Sequence, residues 1–501
     1  MAPLDEQNKM RDGDTPTNSL DEPLSATQHL QSNAVGLAGN WILSIANVAP
    51  SASVAFTLAL LISFAGLGSP LVIVVVGIAM FLVAMAYSRL NNWRPQSGAP
   101  YTWIGASVSP AFGYSMGLLM IIASLFSNIG NITLAGTYAL GIVSPTATFP
   151  GPVVWLVATA IMGLCTFVAV RGIRPSVKLQ LGLMGFEYII VILFAVLILL
   201  RELVTKAPGT TSPSLSVFTI AASPTGFTGL LGATVAAAFL FAGWETPLYL
   251  GEEARERHVN PGRAARLGVL FVLVWYTILV VIFQGMASRH DILAHGSDAL
   301  SYAGTLALPQ PWARLISVAV ILAVVAVTQV LLIVGSRLIL AMARDGLLPE
   351  RLGRVHPRYK TPWIATIVLA LIPVIVLIPY LISSGASTAI GDVISSGGLF
   401  YLLIYGIVAG TCVWYYRRSI RRGTAAVLVS VVLPLIGGAF LLYAFVDGVR
   451  TQTAIVSVVV GVIVVLCLIV GIWGRYSLKT SYFEQRRQAD REPVRDSGSR
   501  T

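Results

Sequence analysis

Charged side chains are scarce in this sequence of 501 residues. Only 11% of the residues are Asp, Glu, Lys or Arg, and 56% are apolar. Soluble domains carry about 25% charged residues, so this composition excludes an ordinary water-soluble domain and favours lipid as the solvent.

Cysteine is nearly absent, and several enzyme motifs are missing. The three cysteines, Cys165, Cys412 and Cys467, lie inside apolar runs and are spaced too widely for a metal site, so we interpret them as small core residues. The sequence contains no G-x4-G-K-[ST], H-E-x-x-H or C-x-x-C motif. We therefore expect neither an enzyme nor an ATP-driven pump, and we expect no cofactor or metal.

Long apolar runs are abundant instead. The runs at 71–87, 153–170, 189–200 and 454–473 include several that approach or exceed the roughly 18 to 20 residues needed to span a bilayer. Strands of a membrane barrel are only about 10 residues long and alternate polar with apolar residues. The sequence therefore predicts an all-α membrane protein.

The runs and the breakers between them predict about twelve transmembrane helices. We place a membrane domain at 33–475, with polar tails at 1–32 and 476–501 that we expect to be disordered. The predicted helices lie near 37–66, 70–92, 109–141, 152–171, 178–204, 226–251, 264–287, 315–342, 362–384, 392–416, 424–446 and 452–474.

Lys and Arg are concentrated on one side of the predicted bilayer. They cluster after the second, fourth, sixth, eighth and tenth helices, whereas the opposite connections hold only Arg201, Lys206, Arg289, Arg314 and Arg450. The rich side should be cytoplasmic, which predicts a multi-pass protein of the cell membrane with both termini inside. The net charge of +11 belongs to these short loops, and without an aromatic-basic face it does not indicate a nucleic-acid partner.

The first predicted helix is interrupted in its middle. Pro50 lies there among Asn47, Ser51, Ala52 and Ser53, and proline inside a helix removes one backbone hydrogen bond and blocks another. In a bilayer the freed backbone groups must face protein or a water-filled cavity.

The sixth predicted helix is interrupted by Gly243, Glu245 and Pro247. Either break by itself is also compatible with a packing kink. The sixth helix follows the first by five crossings, however, so the two run in opposite directions. Paired interruptions in two inverted halves indicate the substrate site of a secondary transporter.

Three segments resemble the amino acid–polyamine–organocation (APC) superfamily of permeases, in particular its bacterial amino acid permeases. They are RPQSGAPYTWIGASVSPAFGYSMG at 94–117, FAGWETPLYLGEEARERHVNPGRAAR at 241–266 and SRLILAMARDGLLPERLGRVHPRYKTPWIA at 336–365. Many members carry Gly-Ser-Gly-Ile-Phe at the first break, whereas this chain has Ala-Pro-Ser-Ala-Ser-Val at 49–54. The resemblance therefore does not identify the substrate.

The resemblance implies a LeuT-like fold with two inverted five-helix repeats, at about 37–204 and 226–416, plus two further helices at 424–474. In such sites helix-end N–H groups bind the substrate carboxylate and freed carbonyls bind its ammonium. The expected carboxylate contacts are Ser51, Ala52 and Ser53, and the expected ammonium contacts are Ala46, Asn47, Phe241 and Gly243. The aromatic gate of the family matches Phe239, with Trp244 as the alternative.

Glu187 is an isolated acid in the fifth predicted helix. A buried carboxylate favours its protonated form and can exchange protons near neutral pH. Some members of the superfamily have a lysine at what looks like the same place. Our hypothesis is that Glu187, near Ser336, carries or senses the coupling proton. The alternative is a structural role, with Glu187 paired to Arg337 or hydrogen-bonded to backbone.

Glu252, Glu253 and Arg344 flank the cytoplasmic mouths of the sixth and eighth helices. A charge pair across this mouth would latch an inner gate, and solvated loop charge is an equally good interpretation.

The predicted function is import of an amino acid by secondary active transport with alternating access, with a proton as the expected coupling ion. A transporter or exchanger of polyamines or other organic amines is the alternative, and a membrane sensor is a third possibility. The substrate's own side chain should be read by helices 3, 6, 8 and 10, where the candidates are Asn128, Asn131, Gln329 and Ser395.

Overall fold

A computed structural model describes residues 30–144, 149–384, 386–417 and 424–484. The tail residues 1–29 and 485–501 lie outside the described residues. Within the described ranges the chain is helical, with one isolated bridge between Val35 and Ala254. Its helices are α1 Leu37–Val48, α2 Pro50–Ala65, α3 Ser69–Trp93, α4 Pro100–Ser107, α5 Pro110–Val143, α6 Gly151–Val170, α7 Ile173–Leu200, α8 Phe227–Phe241, α9 Thr246–Tyr249, α10 Asn260–Gln284, α11 Arg289–His295, α12 Ala299–Ala307, α13 Leu315–Arg344, α14 Trp363–Ser384, α15 Ala386–Tyr416, α16 Thr424–Val427, α17 Leu433–Thr451 and α18 Ala454–Ser477.

Nine helical segments of the described chain are long and apolar enough to cross a membrane. The first of them, Thr57–Trp93, turns at Gly66–Gly68 and so holds parts of two crossings. The shorter apolar helices Phe227–Phe241 and Trp363–Leu377 supply two more. The prediction of an all-α membrane protein with about twelve crossings is confirmed.

The first and sixth crossings run antiparallel. Each consists of two helices, α1 followed by α2 and α8 followed by α9. The first half of one packs against the second half of the other, since α1 contacts α9 and α2 contacts α8. This is the arrangement that two inverted five-helix repeats produce, and it agrees with the predicted LeuT-like fold.

The centre of the bundle is formed by α5, α13 and α15 around the two broken crossings. The apolar window of α13 is 78% buried, whereas that of α18 is only 22% buried. Helix α18 therefore presents most of its apolar surface to lipid, as expected for one of two helices outside the repeats.

Three short helices were not predicted from the sequence. Helix α4 follows the second crossing and begins at Pro100, whose fixed φ suits the first helical position. Helices α11 and α12 lie between the seventh and eighth crossings and pack against α2. All three were expected to be loop because they are too short to show a membrane-spanning apolar run.

The segment after α18 folds back against the bundle. Tyr482 stacks on Tyr101 of α4 at a ring-centroid distance of 5.3 Å, and Phe483 is buried beside Tyr114. A Cβ on Gly105 or Gly113 would overlap the Tyr482 hydroxyl. The ordered chain therefore extends beyond residue 476, where the predicted tail began.

Candidate substrate site at the helix breaks

The first break is a single residue. Helix α1 ends at Val48, Ala49 adopts a left-handed conformation with φ 46°, and α2 starts at Pro50. A non-glycine residue rarely adopts positive φ, and Pro50 has no N–H with which to continue the helix. The sequence thus converts one apolar crossing into two half-helices.

The second break spans four residues, 242–245, and lies slightly before the predicted position. Helix α8 ends at Phe241, and α9 begins only at Thr246. Gly243 has φ +112°, and a Cβ at this position would lie 2.8 Å from both the backbone oxygen and Nδ2 of Asn47. Glycine is needed here both for its backbone conformation and for the close approach of the first break.

The two breaks are joined by side-chain hydrogen bonds. Asn47 donates from Nδ2 to the Gly243 carbonyl at 3.3 Å and to Thr246 Oγ1 at 2.7 Å. Ser44 Oγ donates to the Trp244 carbonyl at 2.8 Å. The ends of α1 and α9 are therefore held as one unit.

A buried carboxylate accepts a backbone N–H at each break. Glu187 Oε1 accepts from the Ser51 N–H at 3.1 Å and from Ser51 Oγ at 2.8 Å. Glu245 Oε2 accepts from the Gly243 N–H at 3.1 Å and from the Tyr405 hydroxyl at 2.6 Å. Both acids are buried, so these hydrogen bonds compensate part of the cost of removing them from water.

A small cavity lies between the two breaks and the helices α5, α13 and α15. Its volume is about 30 Å³, which is room for a water molecule or two and too little for an amino acid. The site is therefore too small for such a substrate in this structure, and admitting one requires movement of the lining. The lining residues are Asn47, Val48, Ala49, Ser53, Ser127, Asn131, Phe239, Ala242, Gly243, Val327, Leu331 and Tyr401.

Only some of the residues predicted for the substrate site line the cavity. Asn47, Ser53, Phe239 and Gly243 line the cavity. The others lie beside the lining without forming part of it, namely Ala46, Pro50, Ser51, Ala52, Phe241, Trp244 and Glu245.

Of the two aromatic residues predicted as alternative gates, only Phe239 lines the cavity. Its ring lies against Gly397 of α15, where an added Cβ would be 2.8 Å away. Trp244 is instead fully buried between Tyr87 and Tyr405. The geometry therefore favours Phe239 as the residue over the site.

Sequence reasoning missed Tyr401 of α15. The Tyr401 hydroxyl lies 3.1 Å from Ser127 Oγ, and both residues line the cavity. No local pattern distinguished Tyr401 from the other tyrosines of its helix, because only the packing of α15 against α5 brings it to the site.

Among the residues proposed to read the substrate's own side chain, Asn131 lines the cavity. Gln329 instead accepts a hydrogen bond from Gln180 at 2.7 Å and donates to Ser176 at 3.1 Å. Asn128 donates to the Ser124 carbonyl within its own helix. Ser395 is buried, but like Gln329 and Asn128 it is not part of the lining.

The proposed neighbours of Glu187 are corrected by the structure. Ser51, its hydrogen-bond donor, also donates to the Ala319 carbonyl of α13. Ser336 lies 17 residues further along that helix, or about 25 Å at 1.5 Å per residue. Glu187 lies at the middle of α7, and the prediction that places it near Ser336 is wrong.

The alternative pairing of Glu187 with Arg337 is also wrong, whereas the alternative of a hydrogen bond to backbone agrees with the Ser51 N–H contact. Arg337 is buried and forms a two-point ion pair with Glu253, through Nε to Oε2 and through Nη2 to Oε1 at 2.9 Å. Arg337 Nη1 additionally donates to the Ile333 carbonyl at 3.0 Å. This pair ties the segment after α9 to α13.

A second ion pair lies at the arginine-rich end of the bundle. Arg344 Nη1 donates to Glu252 Oε2 at 2.8 Å, and the Ser97 N–H donates to Glu252 Oε1 at 3.3 Å. Burial raises the pKa of the Glu252 carboxyl, but the charge and hydrogen bonds of Arg344 and Ser97 outweigh it and leave that pKa lowered. The carboxylate is therefore ionised at neutral pH.

Comparison with known proteins agrees with this architecture. The family model described as amino acid permease matches residues 31–473. Over 60% of its length the chain is 26% identical to a branched-chain amino acid permease of Bacillus subtilis, of which it covers 65%. It is 27% identical to the methylthioribose transporter of the same organism, over 61% of this chain and 67% of that protein.

A third relative is the low-affinity putrescine importer of Escherichia coli K12. The chain is 24% identical to it over 57% of its own length and 61% of the importer. The chain thus spans about two thirds of the length of these relatives, whose names describe an amino acid, a thio-sugar and a diamine as transported molecules. With its two broken antiparallel crossings and a family match over most of its length, the chain belongs to the amino acid permease family of the APC superfamily.

Proposed function

We propose that this transporter imports a small organic amine, an amino acid or a related compound, across the cell membrane by proton-driven alternating access. The observation that supports the proposal is the small cavity between two broken antiparallel helices. Unwound segments of this kind offer backbone groups to a substrate at the middle of the membrane.

The arginine-rich side is proposed to face the cytoplasm, in accordance with the positive-inside rule. On this side the pairs of Glu252 with Arg344 and of Glu253 with Arg337 join the end of the sixth crossing to α13. In the proposed cycle the more exposed Glu252 pair opens to release substrate. Phe239 is proposed to cover the site from the opposite side.

Glu187 is proposed to carry the coupling proton. Its carboxylate accepts hydrogen bonds from the N–H and the hydroxyl of Ser51 in the first turn of α2. A carboxylate accepts stronger hydrogen bonds than a neutral acid does, so protonation weakens the link between α7 and α2. In this proposal proton binding frees α2 to tilt relative to α7.

Purified full-length protein in sealed proteoliposomes would test the proposal. We expect labelled amino acids or amines to accumulate when an inward proton gradient is imposed, and we expect an uncoupler to abolish the accumulation. Exchange that continues in the presence of the uncoupler would indicate an exchanger. Binding without any flux would overturn transport and favour a sensor.

A further inference from the structure

One N–H group at each helix break is already used by one of the protein's own acids. Glu187 accepts from the Ser51 N–H and Glu245 accepts from the Gly243 N–H, each at 3.1 Å. Pro50, the first residue of α2, has no N–H to offer. Both are donors of the kind that a substrate carboxylate uses at broken helices.

The ends of α1 and α8 that adjoin the cavity are both C-termini. Asn47 and Val48 from the end of α1 line it, as do Ala242 and Gly243 immediately after α8. Helix C-termini carry partial negative charge and stabilise cations. The start of α2 also reaches the lining, at Ala49 and Ser53, but the Glu187 carboxylate on its Ser51 N–H offsets the positive end of that helix. The ends of α1 and α8 therefore favour a positive group.

An unpartnered acceptor lies in the same lining. Asn47 is 5% exposed, its Nδ2 is used by Gly243 and Thr246, and its Oδ1 has no hydrogen-bond partner within the described residues. A buried amide oxygen without a donor is costly. An ammonium group, which offers three donors and no acceptor, would satisfy it.

The remainder of the lining is uncharged. None of the twelve lining residues is a lysine, arginine or histidine, and Val48, Phe239, Val327 and Leu331 supply apolar surface. A carboxylate placed here would meet no positive side chain and would lie close to the acids behind the two breaks. Like charges brought together in this way weaken binding.

We propose that the substrate is a primary amine that lacks a carboxylate, with its ammonium at Asn47 Oδ1 and its apolar part against Phe239, Val327 and Leu331. This inference rests on the proposed transport of organic amines and narrows the substrate to amines that lack a carboxylate. The carboxylates of Glu187 and Glu245 accept N–H groups that a substrate carboxylate would otherwise accept at broken helices.

The test uses pairs of ligands that differ only by a carboxylate. The pairs are phenylalanine with phenethylamine, leucine with isoamylamine, and lysine with cadaverine. Each would be added to the purified full-length protein in a thermal-shift titration, and the labelled amine would be offered to proteoliposomes. For at least one pair we expect the amine to bind at a concentration at least about tenfold lower than its amino acid, because the carboxylate meets like charge.

A variant tests whether Glu187 causes the preference. Glu187→Leu leaves the Ser51 N–H free, so the preference for the amine should shrink by at least about tenfold. Glu202→Gln is the matched control, because Glu202 is also a buried acid, directly follows α7 and does not line the cavity. The control should keep the preference of the unmodified protein.

The outcomes separate the two proposals. If an amino acid binds more tightly than its amine in every pair that binds, transport stands and the inference of a carboxylate-free substrate is overturned. An undiminished preference in Glu187→Leu would overturn the role of Glu187. If no member of any pair binds or is taken up, the proposed transport of amines fails together with the inference.

Discussion

Glu187 and Ser51 are joined by two hydrogen bonds, from the Ser51 N–H at 3.1 Å and from its hydroxyl at 2.8 Å to the same carboxylate oxygen. They couple the middle of α7 to the first turn of α2. A residue of the unbroken fifth crossing is thereby attached to the residue that starts the second half of the broken first crossing.

The first prediction concerns Glu187→Gln. An amide keeps the size of the side chain but cannot gain or lose a proton, so concentrative uptake driven by a proton gradient should disappear while exchange of substrate continues. Uptake and counterflow in the same proteoliposomes measure the two activities. Glu202→Gln serves as the control and should retain gradient-driven uptake, and pH-dependent accumulation by Glu187→Gln would refute the coupling role.

The second prediction concerns Gly243→Ala. The added Cβ would meet Asn47 at 2.8 Å in a backbone conformation with φ +112°. Strain of this kind costs on the order of 1–3 kcal/mol. As an addition to the transport barrier it should lower initial uptake rates by about 5- to 150-fold. The matched control is Gly185→Ala, because Gly185 of α7 has no atom within 4 Å of its added Cβ.

Equal uptake by these two alanine variants would contradict a close contact between the breaks. Surface expression and thermal stability should be measured for both, because reduced uptake with unchanged folding identifies an effect on the site itself.

The third prediction concerns the buried pair of Arg337 and Glu253. Replacing one partner leaves an uncompensated buried charge, so Arg337→Met or Glu253→Leu alone should reduce the free energy of unfolding by about 3–5 kcal/mol. The double variant removes both charges and should recover most of this loss. Thermal unfolding in detergent measures all three, and a double variant as unstable as the sum of the singles would contradict the pairing.

The fourth prediction concerns the Glu252–Arg344 pair and pH. Because the pKa of Glu252 is lowered in the folded protein, the pair contributes its stability above the ordinary glutamate pKa and loses it as the pH falls through the lowered value. At neutral pH the pair is intact, and Glu252→Gln should mimic its loss.

The measurement for this prediction is labelling of a Ser127→Cys variant, whose thiol would line the cavity, by an impermeant reagent applied from the arginine-rich side. Added to Ser127→Cys, Glu252→Gln should increase the labelling rate at neutral pH. The Ser127→Cys protein with an intact Glu252–Arg344 pair should be labelled faster only when the pH is lowered. Glu350→Gln, an exposed acid on the same side, is the control. Equal rates in all three proteins would exclude a latch.

The crossings and both breaks could be predicted from the sequence because apolar length and proline are local properties. Pro50 lacks the N–H that would continue the first helix, so one helix ends before it and the next begins at it, whatever surrounds it. The inverted pairing of the two breaks followed from counting crossings, and it correctly brought Asn47 and Gly243 to one place.

The cavity lining could not be predicted in full because it depends on which face each helix turns inward. Tyr401 and Ser127 meet only through the packing of α15 against α5. Ser336 was placed beside Glu187 by resemblance, and the register of α13 against α2 brings Ala319 there instead. Register between distant helices is a property of the assembled bundle.

The packing of Tyr482 against Gly105 and Gly113 also determines when this part of the fold can form during synthesis. The ribosome synthesises Gly105 and Gly113 before Tyr482. The delay between them is about 20 to 70 s at typical rates of synthesis. During this interval α4 and the start of α5 are in place without the side chain that fills the space between them. The contacts of Tyr482 with α4 and α5 on the arginine-rich face can therefore form only after Tyr482 has left the ribosome.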